Sequence, residues 1–154
     1  MEDGSSWLHH DHRRYEVALA DLASLAEVED WSAVRARFAA LRKDLELHVR
    51  MENDVLYRVY EELPDAPQAP TMSLRHEHDE ILVLLRDVGY VLGTLDSERV
   101  LEALAALEHA VTRHHQNEEE IFLPMAGHAL LAQRDEVLRR LREYDNERAS
   151  GRRS

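Results

Sequence analysis

The chain repeats its own pattern after 66 residues, and this repeat restricts the fold more than any other feature. Matched positions keep their residue type, as in Leu8 and Leu74, His12 and His78, Asp30 and Asp96, His48 and His114, and Glu52 and Glu118. A repeat of this length holds one supersecondary unit that cannot bury its apolar face alone. The two halves are therefore predicted to be pseudo-equivalent helix hairpins that pack around an approximate two-fold axis.

Four segments carry apolar residues at steps of three and four, which is the periodicity of a helix with one buried face. The predicted seams are Leu8, His12, Tyr15, Leu19 and Leu22; Val34, Phe38, Leu41, Leu45, His48, Glu52, Val55 and Val59; Leu74, His78, Ile81, Leu85, Val88 and Leu92; and Val100, Leu104, Leu107, Val111, His114, Glu118 and Ile121. Short turns separate the first two segments and the last two. The pattern predicts an all-α protein, an antiparallel up-down four-helix bundle.

Breakers and caps predict where these helices begin and end. Asp30 or Ser32 is predicted to cap the second helix, and a loop is predicted over Leu63–Thr71. Asp96 is predicted to cap the fourth helix, and Pro124 and Gly127 to end it. A shorter fifth helix is predicted over Leu130–Tyr144. We expect one domain over residues 1–146 and a disordered tail over 147–154.

Composition excludes several classes of function. The net charge of −12 opposes binding to nucleic acid or to an anionic membrane surface. No apolar run is long enough to span a bilayer, and the first residues lack the basic and apolar regions of a secretory signal, so we expect a cytoplasmic protein. The absence of cysteine removes disulfides, thiolate metal sites and iron–sulfur ligation.

Six polar residues interrupt the predicted apolar seams: His12, His48, Glu52, His78, His114 and Glu118. Each half supplies one His from its first helix and a His-x-x-x-Glu pair from its second, and the i, i+4 spacing places that pair on one face. A buried, unpaired carboxylate costs several kcal/mol. Two divalent metal ions would compensate, each with two His ligands and with both Glu available to bridge, and positions would stay free for a small ligand.

Two other interpretations of these six residues remain open at this point. They could form a buried His–Glu network without an ion, or the pattern could persist in a bundle that no longer binds metal. If metal is bound, imidazole and carboxylate ligands without thiolate favour iron, then manganese, then zinc. The remaining histidines, and Glu119 and Glu120, are expected at the surface or outside the ligand set; those histidines are His9, His10, His76, His109, His115 and His128.

Four motifs resemble the hemerythrin-like family, also called HHE cation-binding domains: DHRRY at Asp11–Tyr15, LHVRMENDVLY at Leu47–Tyr57, HEHDEIL at His76–Leu82 and HHQNEEEIFLP at His114–Pro124. The resemblance spans about Leu8 to Met125. It implies a four-helix bundle that holds two iron ions (Fe2+/Fe3+) with an oxo or hydroxo bridge, and Mn or Zn is expected less.

The chain departs from the oxygen-carrying hemerythrins, which have five His, two carboxylates and a His-x-x-x-His pair on the third helix. Here His78 has Leu74 and Leu82 at those offsets. The His, HxxxE, His, HxxxE pattern is similar to iron-centre repair proteins and to actinobacterial hemerythrin-like proteins. The second branch fits the absence of cysteine better, and it implies peroxide breakdown and roles related to NO.

Some of these relatives have a tyrosine near the metal. Tyr15 lies one turn from His12 on the same seam, so we expect its phenol to be the catalytic candidate. The alternative for Tyr15 is a core tyrosine with a satisfied hydroxyl. Tyr57 follows Glu52 by five residues, and a regular helix would turn it away from the seam.

Three functions are compatible with these observations. The first is a di-iron enzyme of the catalase or peroxidase type, the second a binder or sensor of O2 or NO, and the third an iron-handling protein without turnover. The expected partner is a small molecule (H2O2, O2 or NO). The protein is expected to be either a monomer or a homodimer. All three functions fit a role in oxidative or nitrosative stress, and the residues do not separate them.

Overall fold

The computed structural model of the protein describes the backbone of residues 4–151 and the side chains of residues 11–144 and 146. Over this part of the chain the secondary structure is helical throughout, which confirms the all-α prediction. The elements are α1 (Gly4–Glu27), α2 (Trp31–Met51), the π-helical turn π1 (Glu52–Leu56), α3 (Tyr57–Glu61), α4 (Ala69–Leu92), α5 (Ser97–Asn117), the π-helical turn π2 (Glu118–Phe122), α6 (Leu123–Ala132) and α7 (Arg134–Gly151).

Four long helical rods form the bundle: α1, α2 continued through π1 into α3, α4, and α5 continued through π2 into α6. Around the bundle, α1 packs against α2 and α5, while α4 packs against α5 and α2. The end of α1 meets the start of α5, where the Ser97 hydroxyl donates to the Ala26 carbonyl over 3.0 Å. Neighbouring rods therefore run antiparallel, as the repeat of two helix hairpins predicts.

The two hairpin turns are built in the same way, 66 residues apart. The side chain of Asp30 accepts a hydrogen bond from the amide of Ala33, and Asp96 accepts one from Arg99. Each cap satisfies an amide that the first turn of a helix leaves without an intrahelical partner. The residue before each cap region adopts a left-handed backbone, with φ of 57° at Glu29 and 53° at Leu95. Asp30, rather than Ser32, is thus the cap of α2.

Two apolar clusters form the core, one on each side of the six polar seam residues. The larger fills the bundle towards the two hairpin turns and includes Leu19, Leu41, Leu85 and Leu107. The smaller lies at the other end and surrounds Tyr57. Its other buried members are Leu56, Tyr60, Leu74, Phe122 and Ala126. The polar residues thus lie between two apolar clusters.

The fourth rod departs from a regular helix after Glu118. Ile121, predicted on the seam, is 60% exposed, and Phe122 is 1% exposed in its place. The π2 turn explains this shift: its i→i+5 hydrogen bonds add one residue to the turn, so every later side chain moves by one position around the axis. The assignment of Ile121 to the seam is therefore wrong.

The sequence pattern predicts that Pro124 and Gly127 end the fourth rod. This prediction is wrong, because the helix continues to Ala132. Pro124 follows π2 directly, where the change from i→i+5 to i→i+4 hydrogen bonding already interrupts the regular ladder, so its missing amide hydrogen costs less there than inside a regular helix. The last helix, α7, starts at Arg134 rather than Leu130, and it reaches Gly151. It thus extends past the expected start of the tail at 147.

α7 lies against π1 and α6. The Tyr144 hydroxyl hydrogen-bonds to Asp54 in π1, which ties this helix to the bundle. In the part of the chain described, none of the helices combines the length and apolar character that crossing a bilayer requires.

The cap assignment gives a first prediction. Asp30→Ala should lower the free energy of unfolding by about 0.5–2 kcal/mol, because the Ala33 amide loses its acceptor. Ser32→Ala, at an exposed neighbouring position, should change it by less than about 0.5 kcal/mol. Urea denaturation of the two variants measures both values, and an equal loss in both would contradict the assignment of the cap to Asp30.

Candidate metal centre

Six polar side chains meet in the middle of the bundle, and they are the six that the seams predict. α1 supplies His12, α2 His48, π1 Glu52, α4 His78, α5 His114 and π2 Glu118. Each is at most 5% exposed, and both glutamates are fully buried. The four rods therefore bring all six together away from bulk water.

The Nε2 atoms of the four histidines point towards the two carboxylates. Glu52 Oε1 lies 3.0 Å from His48 Nε2 and 3.2 Å from His78 Nε2. Glu118 Oε1 lies 3.0 Å from His12 Nε2, and its Oε2 lies 3.4 Å from His114 Nε2. Each glutamate thus faces one histidine from its own half of the chain and one from the other half.

Both glutamates belong to two overlapping sets of four potential ligands. One set is His12, His48, Glu52 and Glu118, and the other is His78, His114, Glu52 and Glu118. Within each set the ligand atoms lie within 4.8 Å of one another. We call these the His12 position and the His78 position. The arrangement can hold two cations side by side, with both carboxylates shared.

The Nδ1 atom of each histidine faces an oxygen outside the cluster. The pairs are His12 with Glu119 (2.9 Å), His48 with Asp11 (3.3 Å), His78 with Asn53 (2.7 Å) and His114 with Glu77 (2.9 Å). An acceptor at Nδ1 keeps the proton on that atom and leaves the Nε2 lone pair directed inward, which is the usual arrangement around metal-ligating histidines.

These outer partners obey the 66-residue repeat. Asp11 corresponds to Glu77, and Asn53 corresponds to Glu119. None of these four residues lies on a predicted seam, so polar residues at seam positions do not include them. The Glu119 side chain, expected to be solvated, is 24% exposed and its carboxylate also accepts a hydrogen bond from His12. The repeat itself was the signal that could have found all four.

The cluster places hydrogen-bond acceptors opposite one another. Glu52 Oε2 is buried without a hydrogen-bond partner among the described residues, and Glu118 Oε1 and His12 Nε2, although 3.0 Å apart, are not aligned as a hydrogen bond. His78 Nε2 and His114 Nε2 lie 2.9 Å apart. With both protons on Nδ1, two lone pairs would face each other there, so a proton or a cation must lie between them. Imidazole and carboxylate donors in this number suit first-row divalent cations.

Tyr57, not Tyr15, hydrogen-bonds to the cluster. The Tyr57 side chain is fully buried, its hydroxyl donates to Glu118 Oε2, and its ring stacks on His78 with centroids 5.4 Å apart. The Tyr15 hydroxyl instead donates to the carbonyl of Asp44 over 3.3 Å. The expectation that Tyr57 turns away assumed a regular helix, and the π1 turn carries residue i+5 back to the face of Glu52.

Arg75 holds π1 from outside. Its Nη2 donates to the carbonyl of Asn53 over 2.8 Å and to Glu61 over 2.7 Å. A π-helical turn interrupts the regular ladder of backbone hydrogen bonds, and a side-chain donor can satisfy the carbonyl that this releases. Arg75 thereby stabilises the turn that directs Tyr57 and Asn53 towards His78.

His115 is a fifth histidine in this part of the core. It is 3% exposed and stacks on His12, with ring centroids 3.7 Å apart and planes inclined by 9°. Burial and the neighbouring His12 and His114 lower its pKa to about 2, so the ring is neutral. His115 lies outside both ligand sets, as expected. It is not at the surface, because its side chain is buried.

The other residues expected outside the ligand set are His76, His109, His128 and Glu120, and all four are exposed. The side chains of His9 and His10 lie outside the described residues.

The family model that describes the hemerythrin HHE cation-binding domain matches residues 3–126, and a second match covers 69–152. The chain belongs to the hemerythrin HHE cation-binding domain family. The two matches begin 66 residues apart, which is the spacing of the internal repeat. No curated protein and no solved structure matches the chain.

Membership in this family indicates that the buried cluster binds cations. A hemerythrin HHE domain binds cations, and the described residues contain the His/Glu cluster that can do so. The cluster has no thiolate and no exposed ligand, because the chain lacks cysteine and all six residues are buried. The centre is therefore a His/carboxylate site inside a helical bundle.

Without a cation, protons must neutralise the buried carboxylates of this hemerythrin domain. Burial alone would raise the pKa of Glu52, but the charge of His48 and hydrogen bonds hold it well below its ordinary value. Burial alone would lower the pKa of His48, but Glu52 and Asp11 raise it to about 10. Binding of a divalent cation displaces such protons, so cation affinity should rise with pH.

The Tyr57 hydrogen bond gives a second prediction. Tyr57→Phe should destabilise the metal-free protein by about 1.5–3 kcal/mol, because a buried carboxylate loses a donor. Tyr15→Phe removes a longer bond to a backbone carbonyl and should cost about 0.5–1.5 kcal/mol. Chemical denaturation in the presence of a chelator compares the two, and a larger loss for Tyr15→Phe would contradict the assignment.

The raised pKa of His48 gives a third prediction. A histidine whose pKa is raised by folding stabilises the folded state fully below its unfolded pKa, about 6.5, and this contribution disappears as pH approaches about 10. Glu52, with a lowered pKa, contributes above about pH 4.5. The unfolding free energy of the metal-free protein should therefore fall from pH 6.5 to pH 10.

Denaturation curves of the metal-free protein across this pH range measure the slope. His48→Gln should flatten it, since glutamine does not titrate. A stability that stays constant or rises with pH in the original protein would show that His48 is not protonated beside Glu52.

Proposed function

We propose that this protein is a non-haem di-iron protein that binds or reacts with a small oxidant, namely H2O2, O2 or NO, as part of a response to oxidative or nitrosative stress. The observation that carries the proposal is the pair of overlapping four-ligand sets that share Glu52 and Glu118. The family supports cation binding, and the identity of the metal and of the oxidant belong to the proposal.

The number of protein ligands supports a reactive centre rather than a closed structural one. Each position offers two imidazole nitrogens and two shared carboxylates. Iron in non-haem enzymes commonly keeps positions for exogenous ligands when the protein supplies few donors. Bound iron would supply one-electron chemistry and Lewis acidity at those positions. Manganese has similar ligand preferences, and zinc fits shared carboxylates less well.

Burial limits the size of the reactant. The six residues lie between the two apolar clusters, and none is more than 5% exposed. Entry of a large organic substrate would require the bundle to open, whereas a diatomic or peroxide molecule can diffuse through small packing fluctuations. The size of the site therefore favours H2O2, O2 or NO over larger substrates.

Tyr57 is the tyrosine that we assign to this function. Its pKa is well above its ordinary value because of burial and the neighbouring Glu52 and Glu118 charges, so the phenol stays protonated. The hydroxyl holds Glu118 Oε2 by a hydrogen bond, and the ring covers the face of His78. Tyr57 therefore orients a shared carboxylate and excludes water from the His78 position.

The experiment that tests the proposal starts with the metal content. Untagged protein from cells supplied with iron should contain about two iron atoms per chain by elemental analysis. The same sample is then mixed with H2O2, O2 and NO in turn. Continuous peroxide consumption would show an enzyme, and a stable O2 or nitrosyl adduct without turnover would show a binder or sensor. Rapid loss of iron to a weak chelator would instead support an iron-handling role.

The ligand set gives a fourth prediction. Glu118→Ala and His48→Ala should each reduce bound iron well below two per chain, because each removes a donor from the cluster. They should also reduce the rise in melting temperature that iron produces, since binding to the folded state alone stabilises it.

His76→Ala is the matched control for this prediction, because His76 is exposed and lies outside both ligand sets. This variant should keep the iron content and the melting temperature of the original protein. If it lost iron while His48→Ala kept it, the assignment of ligands would be wrong. A content of one zinc per chain in the original protein would contradict the di-iron proposal.

A further inference from the structure

The two halves of the chain repeat the ligands but not all of the residues that hold them. Glu119 accepts from Nδ1 of His12, and the residue at the equivalent place, Asn53, accepts from Nδ1 of His78. The other two histidines both face carboxylates, with Asp11 beside His48 and Glu77 beside His114. The His12 position thus has two outer carboxylates, and the His78 position has one carboxylate and one amide.

A carboxylate and an amide at Nδ1 affect the inner nitrogen differently. A negatively charged acceptor draws the Nδ1 proton more strongly and makes the imidazole a stronger donor to a cation, and loss of such a partner typically costs 10–100-fold in metal affinity. It also adds a negative charge close to the cation. By this argument His12 should be the stronger ligand of the equivalent pair His12 and His78.

A second difference between the halves acts on the shared carboxylate. Glu118 turns Oε1 towards His12, and its Oε2 lies near His114 and accepts the hydrogen bond from Tyr57. The residue equivalent to Tyr57 is Leu123, which has no hydroxyl to donate. The hydrogen bond from the phenol withdraws electron density from Glu118 Oε2, so this oxygen is a weaker ligand for a cation at the His78 position.

A third difference is the stacked ring of His115. It covers one face of His12 at 3.7 Å, and the equivalent residue of the other half is Val49. The neutral ring restricts the rotation of His12 and keeps water from that side. Preorganised ligands lose less conformational freedom on binding. Tyr57 also covers a face of His78, but with ring centroids 5.4 Å apart, so the closer contact of His115 restricts His12 more and favours the His12 position.

We propose that the two cation positions are inequivalent, so that the His12 position binds the first ion tightly and the His78 position binds the second ion more weakly. Glu119 and Asn53 are the residues that set this order. The inference rests on the proposed two-metal centre. It assigns the weaker, more exchangeable ion to the side where Tyr57 lies.

In the test, the metal-free protein is titrated with Mn2+, and binding is measured by calorimetry and by electron paramagnetic resonance. Binding should occur in two steps, with the first about 10–100-fold tighter than the second. At one equivalent the spectrum should be that of an isolated bound Mn2+ ion. At two equivalents it should change to that of a spin-coupled pair, because the two ligand sets share Glu52 and Glu118.

Two exchange variants assign the order to the outer partners. Glu119→Asn gives both halves an amide, so the first step should weaken by about 10–100-fold and the two steps should merge. Asn53→Glu gives both halves a carboxylate, so the second step should tighten and the steps should again merge. Glu120→Asn is the matched control, because it removes the same charge at an exposed neighbouring position and should leave both steps unchanged.

Each outcome supports or overturns the inference. Two equal steps in the original protein, or a weakening of the second step by Glu119→Asn, would overturn the proposed order and leave the two-metal centre intact. Equal weakening by Glu120→Asn would show a general charge effect and overturn the role of Glu119. Absence of Mn2+ binding would overturn the two-metal centre and the inference together. Circular dichroism of each variant verifies the fold, and Asn53→Glu tests the order even if Glu119→Asn does not fold.

Discussion

Two fully buried glutamates in the middle of an apolar bundle dominate the energetics of this protein. An ionised carboxylate away from water costs several kcal/mol unless charges and hydrogen bonds compensate it, and the total stability of a domain is only about 5–15 kcal/mol. Four imidazoles surround Glu52 and Glu118, and a phenol donates to the second of them. The fold is stable only while protons or cations neutralise this cluster, so cation binding and folding are coupled.

The π-helical turns shape the surroundings of this cluster. Each turn begins at a ligating glutamate, Glu52 in one half and Glu118 in the other. The extra residue lets the segment after each glutamate present a new side to the core, where Tyr57 and Phe122 are buried. A regular helix would have directed Ile121 inward and Tyr57 outward. The local irregularity therefore closes the apolar cluster at one end of the bundle and adds a hydrogen-bond donor to the centre.

The repeat makes two overlapping sets of potential ligands from one structural unit, and its imperfections differentiate the two sets. The ligands and the helix bounds repeat closely, since α2 and α5 begin and end at equivalent residues. The residues that touch the ligands from outside differ in charge or polarity, as Asn53 and Glu119 do. An outer hydrogen-bond partner can change without loss of the fold, because its side chain is only partly buried. Such positions are where two halves with one fold can acquire different affinities.

The sequence alone determined the all-helical bundle, the two capped hairpin turns and the six residues of the cluster. All of these depend on periodicity, on local capping and on the repeat, and each leaves a signal in a short window or at a fixed offset. His48 and Glu52, for example, share a face because four residues make about one turn. Those signals needed no knowledge of how the helices pack.

Only the tertiary structure decided which tyrosine hydrogen-bonds to the cluster, how far the fourth rod runs and which residue faces the Nδ1 atom of each histidine. A helical period read from the sequence does not reveal the residue that each π-helical turn adds, nor the contact of Arg75 with the carbonyl of Asn53 in π1. Glu119 and His115 look like surface residues by that period. Their roles appear once α5 packs against α1 and brings them to His12. Contacts between distant segments carry no local sequence signal, because they arise only when the helices pack together.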